Sequence, residues 1–231
     1  MGTVSDGSTI VLWSPIKDPG SIDIIGFTRL VELANDSPVN SMAFSPNGKF
    51  LLAGLSDGTT MEWNLVDYQG ASVLTKFPSP VTAVVYSGDG KCLAAGSMVG
   101  AIRSVCRNEG VIGGENLIAN HDDVITSLAF SSASSGMLAS GSADQTIKVW
   151  RNFYELVLDI AHGSNIERLI FTPDAKYLVA AWSNNGVNTL SLYALPYQED
   201  SKPTVLPVLT ATATLKPVEV PGPEQPTLIP P

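Results

Sequence analysis

Four stretches of this chain lie over one another in a single register: residues 37–63, 79–105, 122–150 and 165–193. The aromatic residue that closes the first apolar run of each is Phe44, Tyr86, Phe130 and Phe171, at spacings of 42, 44 and 41 residues. A second set of markers (Trp63, Val105, Trp150 and Tyr193) recurs at 42, 45 and 43. Repetition at this period implies supersecondary units that cannot bury their apolar faces alone and stack on their neighbours to do so.

The signal inside each unit is β throughout. Val39-Asn40-Ser41-Met42-Ala43-Phe44 alternates as a half-buried strand does, and Phe50–Gly54 and Cys92–Gly96 are short apolar runs of buried-strand length. Between these runs stand Pro46-Asn47-Gly48 and Gly88-Asp89-Gly90, whose Asn-Gly and Asp-Gly pairs supply the positive φ that tight hairpins need. A polar turn follows (Ser56-Asp57-Gly58; Ser142-Ala143-Asp144), then a third strand ending on the large residue. A more variable fourth strand fits Ala71–Lys76, Glu115–Ala119 and Glu155–Ile160. Four antiparallel strands per unit of about 40 residues describe one blade of a β-propeller.

The segment Asn120-His121 … Phe130-Ser131 … Ser140-Gly141-Ser142-Ala143-Asp144 … Ile147-Lys148-Val149-Trp150 resembles a WD40 repeat at nearly every signature position, and Ser5-Asp6-Gly7 … Leu12-Trp13 resembles the second half of another. The resemblance covers roughly residues 3–195 and implies an all-β fold. About four blades are expected, at 37–78, 79–121, 122–163 and 164–210, plus a partial N-terminal one at 1–36 holding a third and a fourth strand. Most propellers of the family close with about seven blades, so an incomplete ring is expected: a fragment of a longer propeller, the preferred reading, or an open arc, or an arc that a partner completes. Thr204–Leu209 is the candidate last outer strand, and residues 211–231 read as an extended, Pro-rich, disordered tail, with nine of the sixteen prolines falling in 196–231.

The resemblance also implies a hydrogen-bonded set of His, Ser, Asp and Trp within a blade, which here matches completely only at His121, Ser140, Asp144 and Trp150. A structural role is expected for these four, and the unit at 122–163 is expected to be the most stable. The unit at 79–121, with Val99 at the turn and Val105 in place of the Trp, is expected to be the least.

Few chemical functions survive the inventory. No nucleophile stands at useful spacing from His121 and Asp144. Two His and two Cys in unrelated strands give no zinc site, and the pairs Asp122-Asp123 and Glu199-Asp200 read as solvated loops. Gly110-Val111-Ile112-Gly113-Gly114 lacks the Lys-Ser/Thr of a phosphate loop and reads as a loose turn between outer strands. No catalytic residue, metal or cofactor is therefore expected. A formal charge of −9 repels phosphate backbones and anionic headgroups, so neither nucleic acid nor a membrane is an expected partner. The first residues, MGTVSDGST, carry no basic or apolar stretch, and Cys92 and Cys106 are expected as free buried thiols in a reducing, intracellular setting, cytoplasmic or nuclear.

Two functional readings follow. The first is a non-catalytic interaction scaffold. By resemblance, its partner-facing positions lie at the start of each first strand and before each turn Asp. These are Pro38, Asn40 and Ser56; Pro80, Thr82 and Met98; Val124, Thr126 and Ala143; Asn165, Glu167 and Ser183. Trp182 joins them, and Trp182 and Met98 are the expected hot spots, since buried aromatic and Met anchors carry interfaces. The second is a regulatory sensor region detached from a nucleotide-binding signalling protein with a WD40 tail. In either case, open strand edges at the two ends are expected to promote self-association.

Overall fold

The computed structural model describes residues 1–18, 24–68, 70–108, 111–132, 136–153, 155–184, 187–195 and 209–211. Every regular element among them is a strand, and the strands form five antiparallel sheets in chain order. Blade 1 has three strands, β1 (Gly2–Ser5), β2 (Thr9–Lys17) and β3 (Ile24–Leu33). Blade 2 comprises β4 (Val39–Phe44), β5 (Phe50–Leu55), β6 (Thr59–Asn64) and β7 (Ala71–Lys76). Blade 3 comprises β8 (Val81–Tyr86), β9 (Cys92–Ser97), β10 (Ala101–Asn108) and β11 (Val111–Asn120). In blade 4 are β12 (Ile125–Phe130), β13 (Met137–Ser142), β14 (Thr146–Arg151) and β15 (Glu155–Ala161). Blade 5 holds β16 (Ile166–Phe171), β17 (Tyr177–Asn184), β18 (Val187–Ala194) and the short β19 (Leu209–Ala211). The inner strands β4, β8, β12 and β16 touch one another in succession, giving a propeller-like arc with no closed ring among the described residues.

The hairpins follow from the sequence. Gly48 and Gly90 adopt φ of +68° and +69°. In front of them a hydroxyl donates to the turn side chain, Ser45 Oγ to Asn47 at 2.8 Å and Ser87 Oγ to Asp89 at 2.6 Å, and Thr172 Oγ1 does the same to Asp174 at 2.6 Å in front of Ala175, whose φ is +54°. The Ser/Thr-x-Asn/Asp pattern thus closes the first turn of blades 2, 3 and 5.

The described residues form no single core. Apolar side chains gather in four layers, one per junction between consecutive blades. Ile10, Leu12, Leu51 and Trp63 lie between blades 1 and 2, and Leu52, Val81, Val84 and Val105 between 2 and 3. Ala94, Ile125, Leu128 and Trp150 lie between 3 and 4, and Val149, Ile166, Phe171 and Tyr193 between 4 and 5. The layers are thin enough to demand glycine. A Cβ on Gly96 would stand 2.4 Å from Ile125 Cγ2 and 2.7 Å from its Cβ. Gly96→Ala should therefore cost about 2 kcal/mol by overpacking, and shortening Ile125 to Ala in the same chain should recover part of it. Additive losses in a urea titration of the cycle would count against the contact.

Four details depart from the sequence reading. Cys92 and Cys106 are not free thiols: they sit directly opposite on β9 and β10, with Cα atoms 4.0 Å apart, and are joined by a disulfide. Cross-strand partners on one sheet face bring sulfurs within bonding reach, so the thiol argument for a reducing compartment falls away. Gly113 and Gly114 are not turn residues; they lie within β11, beside irregular pairing of β10 and β11. Gly2–Ser5 adds to blade 1 a strand that the repeat match does not contain, pairing with Thr9–Leu12. The last outer strand described is Leu209–Ala211, paired with Leu190–Leu192; the candidate Thr204–Leu209 otherwise lies outside the described residues, as does the tail from 212 onward.

Candidate functional site

All four inner strands carry the same irregularity. Pairing with the second strand slips between Val39 and Ser41, between Val81 and Ala83, between Ile125 and Ser127 and between Ile166 and Arg168. Each slip is a β-bulge, which leaves one residue unpaired and re-aims its side chain. The four bulge residues are Asn40, Thr82, Thr126 and Glu167, the first-strand positions named from sequence as partner-facing. They line one cleft of about 210 Å³, together with Ser41, Ser127 and Arg168.

The bulges also tie the blades to one another. Asn40 Nδ2 donates to the Val81 carbonyl of the next blade at 2.9 Å, and Thr82 Oγ1 donates to the Ile125 carbonyl at 2.5 Å. Ser41 Oγ accepts the Val84 N–H and Ser127 Oγ accepts the Leu169 N–H, at 3.2 and 2.9 Å. The polar rim is therefore held from blade to blade by short side chains with little rotamer freedom to lose.

The remaining expected positions are brought beside the bulges. The Ser56, Met98 and Ala143 N–H groups donate to the carbonyls of Pro38, Pro80 and Val124, at 2.8, 2.9 and 3.0 Å. In blades 2, 3 and 4 the residue before the first strand is thus paired with the residue that precedes Asp57, Val99 or Asp144 in the turn of its own blade. Ser56 Oγ further donates to Asn40 Oδ1 at 3.0 Å. Met98 is exposed, whereas Ser56, Thr82, Thr126, Ala143 and Ser183 are half-buried and Pro38, Asn40, Asn165 and Glu167 are exposed.

Trp182 has another engagement, which the sequence reading missed. It is half-buried, packs edge-on against His162 with ring centroids 4.9 Å apart, and donates Nε1 to Ser191 Oγ at 2.9 Å. His162 Nε2 lies 3.3 Å from the same oxygen. Ser191 sits opposite Ala180, the position that holds Ser140 in blade 4. The hydroxyl has moved from the second strand to the third, and the Trp from the third to the second. A search for a mirrored placement would have found it.

In blade 4 the four expected residues converge. His121 is buried, with Nδ1 2.9 Å from Asp144 Oδ2 and Nε2 2.6 Å from Ser140 Oγ, and its ring lies edge-on to Trp150 at 6.1 Å. Asp144 also accepts Thr146 Oγ1 at 2.7 Å, the Thr146 N–H at 2.8 Å and the Asp122 N–H at 3.0 Å. Burial holds the imidazole below its ordinary value against the pull of Asp144. The neutral ring therefore donates from Nδ1 and accepts the Ser140 hydroxyl at Nε2. Burial raises the Asp144 carboxyl, but its hydrogen bonds from Thr146, Asp122 and His121 outweigh this and bring it to about 2. The saturated carboxylate has no free edge for chemistry.

Both shifts act in one direction. A depressed folded-state value means the unfolded chain binds the proton more readily, so stability is fully present above the unfolded value and lost as pH falls. His121 begins to withdraw stability below about pH 6.5, and Asp144 from about pH 4 downward. Denaturant midpoints should be flat above neutrality and fall on acidification, with the upper limb shallower in His121→Gln. Asp144→Ala should cost about 2 kcal/mol, because it leaves His121 and the Thr146 and Asp122 N–H groups unmatched. Asp89→Ala, at an exposed hairpin, should cost about 0.5 kcal/mol. Equal losses would show that Asp144 is not part of a structural network.

Blades 2 and 3 solve the same turn differently. Asp57 accepts the Thr59 N–H at 2.8 Å and Lys76 Nζ at 3.0 Å, with no His involved. In blade 3, where Val99 replaces the Asp, Ser97 Oγ accepts the Ala101 N–H at 3.1 Å.

Comparison with known proteins agrees with this construction. The family model "WD domain, G-beta repeat" matches residues 28–64 and 115–151. The nuclear distribution protein nudF of Aspergillus niger is 26% identical over 200 residues, covering 78% of this chain and 44% of the relative. Transducin beta-like protein 3 of Rattus norvegicus is 29% identical over 166 residues, covering 71% and 20%, and periodic tryptophan protein 2 of Arabidopsis thaliana is 24% identical over 193 residues, covering 81% and 20%. The chain thus spans less than half the length of these relatives. The crystal structure of the computationally designed Ika4 protein superposes with a TM-score of 0.55 at 24% identity, over 68% of this chain and 92% of that one, a likeness of fold alone. By its repeat, its blades and these matches, the chain belongs to the WD40-repeat proteins.

Proposed function

We propose that this chain is a non-catalytic protein-interaction module that engages its partner through the bulge-lined inner rim. The observation that carries this reading is the bulge recurring at one position of four inner strands. It places Asn40, Thr82, Thr126 and Glu167 around a single cleft. Met98 and Trp182 are the proposed anchors of the same rim. The relatives' names include a nuclear distribution protein, and an intracellular partner accords with it. The net charge of −9 argues for a protein rather than nucleic acid or membrane. The exposed strand edges at either end of the arc support self-association as well.

The test is site-specific photo-crosslinking in cells, with the probe at Thr126 or Met98 and a control probe at Val73, which is exposed on the outer strand β7. A discrete adduct from the two rim positions and none from Val73 is expected. Equal labelling from all three would overturn the reading. Met98→Ala should weaken capture of that adduct's partner at least tenfold with an unchanged melting temperature. Trp182→Ala should lower both, because its indole also holds Ser191.

A further inference from the structure

The blade junctions obey one code, and the far side of blade 5 breaks it. At the three junctions that follow blades 2, 3 and 4, the fifth residue of the second strand is Gly54, Gly96 or Gly141. A Cβ there would come within 2.4, 2.4 and 2.5 Å of Val81, Ile125 and Ile166, the first residues of the next inner strand. On the same side, the third residues of the inner strands are small (Ser41, Ala83 and Ser127) and the fifth are no larger than Val (Ala43, Val85 and Ala129). In blade 5 the equivalent positions hold Ala181, Arg168 and Ile170. A β-branched first residue seated in the usual packing would collide with the Ala181 methyl, and Arg168 stands where a close approach needs Ser or Ala.

What this side presents instead is an apolar face. Ile170 is 64% exposed and Leu190 48%, and Tyr177 lies exposed beside them. Pairing across the strands puts Ile170, Val179 and Leu192 in one row and Arg168, Ala181 and Leu190 in the next. No acidic residue occupies these positions, although the chain carries a charge of −9. Contiguous exposed apolar surface of this kind marks an interaction site.

We infer that this face docks on the same face of a second copy of the chain, forming a closed two-fold dimer. The proposal rests on the self-association reading and names its surface. The other available end does not fit. The rear of blade 1 carries Thr3, Ser5 and Thr9 beside Val11, with Thr3 Oγ1 accepting the Trp13 Nε1–H at 2.9 Å, and its sheet, ordered β1-β2-β3, has no described inner strand to supply what Val81, Val84 and Tyr86 supply at an ordinary junction. Two identical apolar faces complement each other, and a two-fold contact closes at two copies instead of propagating. Arg168 lies toward one end of the face, so an axis through its centre near Val179 keeps the two guanidiniums apart. A face of four strands and six residues measures about 400 Å² per copy, below the roughly 800 Å² of a stable interface. The dimer is therefore a weak one.

Sedimentation equilibrium of the full chain at about 5–500 µM, the range suited to a small interface, tests this. The expected result is a monomer–dimer equilibrium. Its dissociation constant should rise at least tenfold in Ile170→Asp and in Leu190→Asp, and stay unchanged in Leu117→Asp, a control on the exposed outer strand β11. All three sites are exposed, and circular dichroism should show the variants folded. A monomer across the whole range would overturn both the face and the self-association reading. Association that persists unchanged in Ile170→Asp and Leu190→Asp would overturn the face alone, leaving edge pairing. An open-ended series of masses would mean head-to-tail stacking and would likewise overturn the two-fold dimer.

Discussion

Glu62→Ala should destabilise the chain by about 3–5 kcal/mol, the loss expected when one member of a buried ion pair is removed. Glu62 is 5% exposed on β6. Its carboxylate accepts the Tyr86 hydroxyl and pairs with the Arg107 guanidinium, both from blade 3. Arg107 also lies over the Phe50 ring, 4.8 Å from its centroid, so the guanidinium is fixed between two groups of blade 2. Without the carboxylate, Arg107 keeps a charge in a site with little water and Tyr86 keeps an unmatched hydroxyl. Burial, reinforced by Glu62, already drives the Tyr86 hydroxyl far above its ordinary value, so it serves as a permanent donor. Replacing Glu62 and Arg107 together by Leu and Met should recover much of the loss, since the penalty comes from the stranded charge. Urea titrations of the two single variants and the double one measure this. A loss below about 1 kcal/mol in Glu62→Ala would show a pair screened by water.

Reduction of the Cys92–Cys106 bond should lower stability by about 3 kcal/mol, the chain-entropy value for a short loop. The cysteines are 14 residues apart, and the bond clips β9 to β10 one residue before Arg107. Denaturant midpoints with and without dithiothreitol should separate for the parent chain and coincide for a Cys92→Ser/Cys106→Ser variant. A parent midpoint indifferent to reductant would show that the bond constrains little beyond the strand pairing itself. The bond also alters the expected order of blade stabilities. Blade 3 lacks the His-Asp set, yet it is held by this bond and by the Glu62–Arg107 pair.

The fold was legible because its determinants are periodic. The Phe44-to-Phe171 register and the Asn-Gly and Asp-Gly turns are local signals, and each unit repeats them. The His121–Asp144 set was legible for the same reason, since its members fall at fixed offsets within one unit. What escaped the sequence depends on contacts between units or on compensation. Glu62, Tyr86 and Arg107 sit in three different strands of two blades, and no offset links them. The exchange of roles between Trp182 and Ser191 is invisible to a pattern that asks for Ser on the second strand and Trp on the third. Cys92 and Cys106 escaped because a count of two cysteines pointed to free thiols in a reducing compartment, whereas their directly opposed places on β9 and β10 decide the bond. The bulges too escaped, although the positions they occupy did not. One unpaired residue in a strand leaves the alternation before and after it almost intact.

The matched segments 28–64 and 115–151 begin on an outer strand of one blade and end on the third strand of the next, so each repeat of the sequence straddles a junction. The apolar interior is likewise divided into separate layers between blades. Together these make the gene divisible in a way that a single-cored protein is not. Unequal recombination between two repeats inserts or removes one outer strand, three inner ones and the layer they share, and leaves every other layer with the residues it had. Each new copy arrives already hydrogen-bonded to the sheet it joins. Blade number in such a lineage can drift by whole units, while the surfaces at the two ends are free to diverge under different selection.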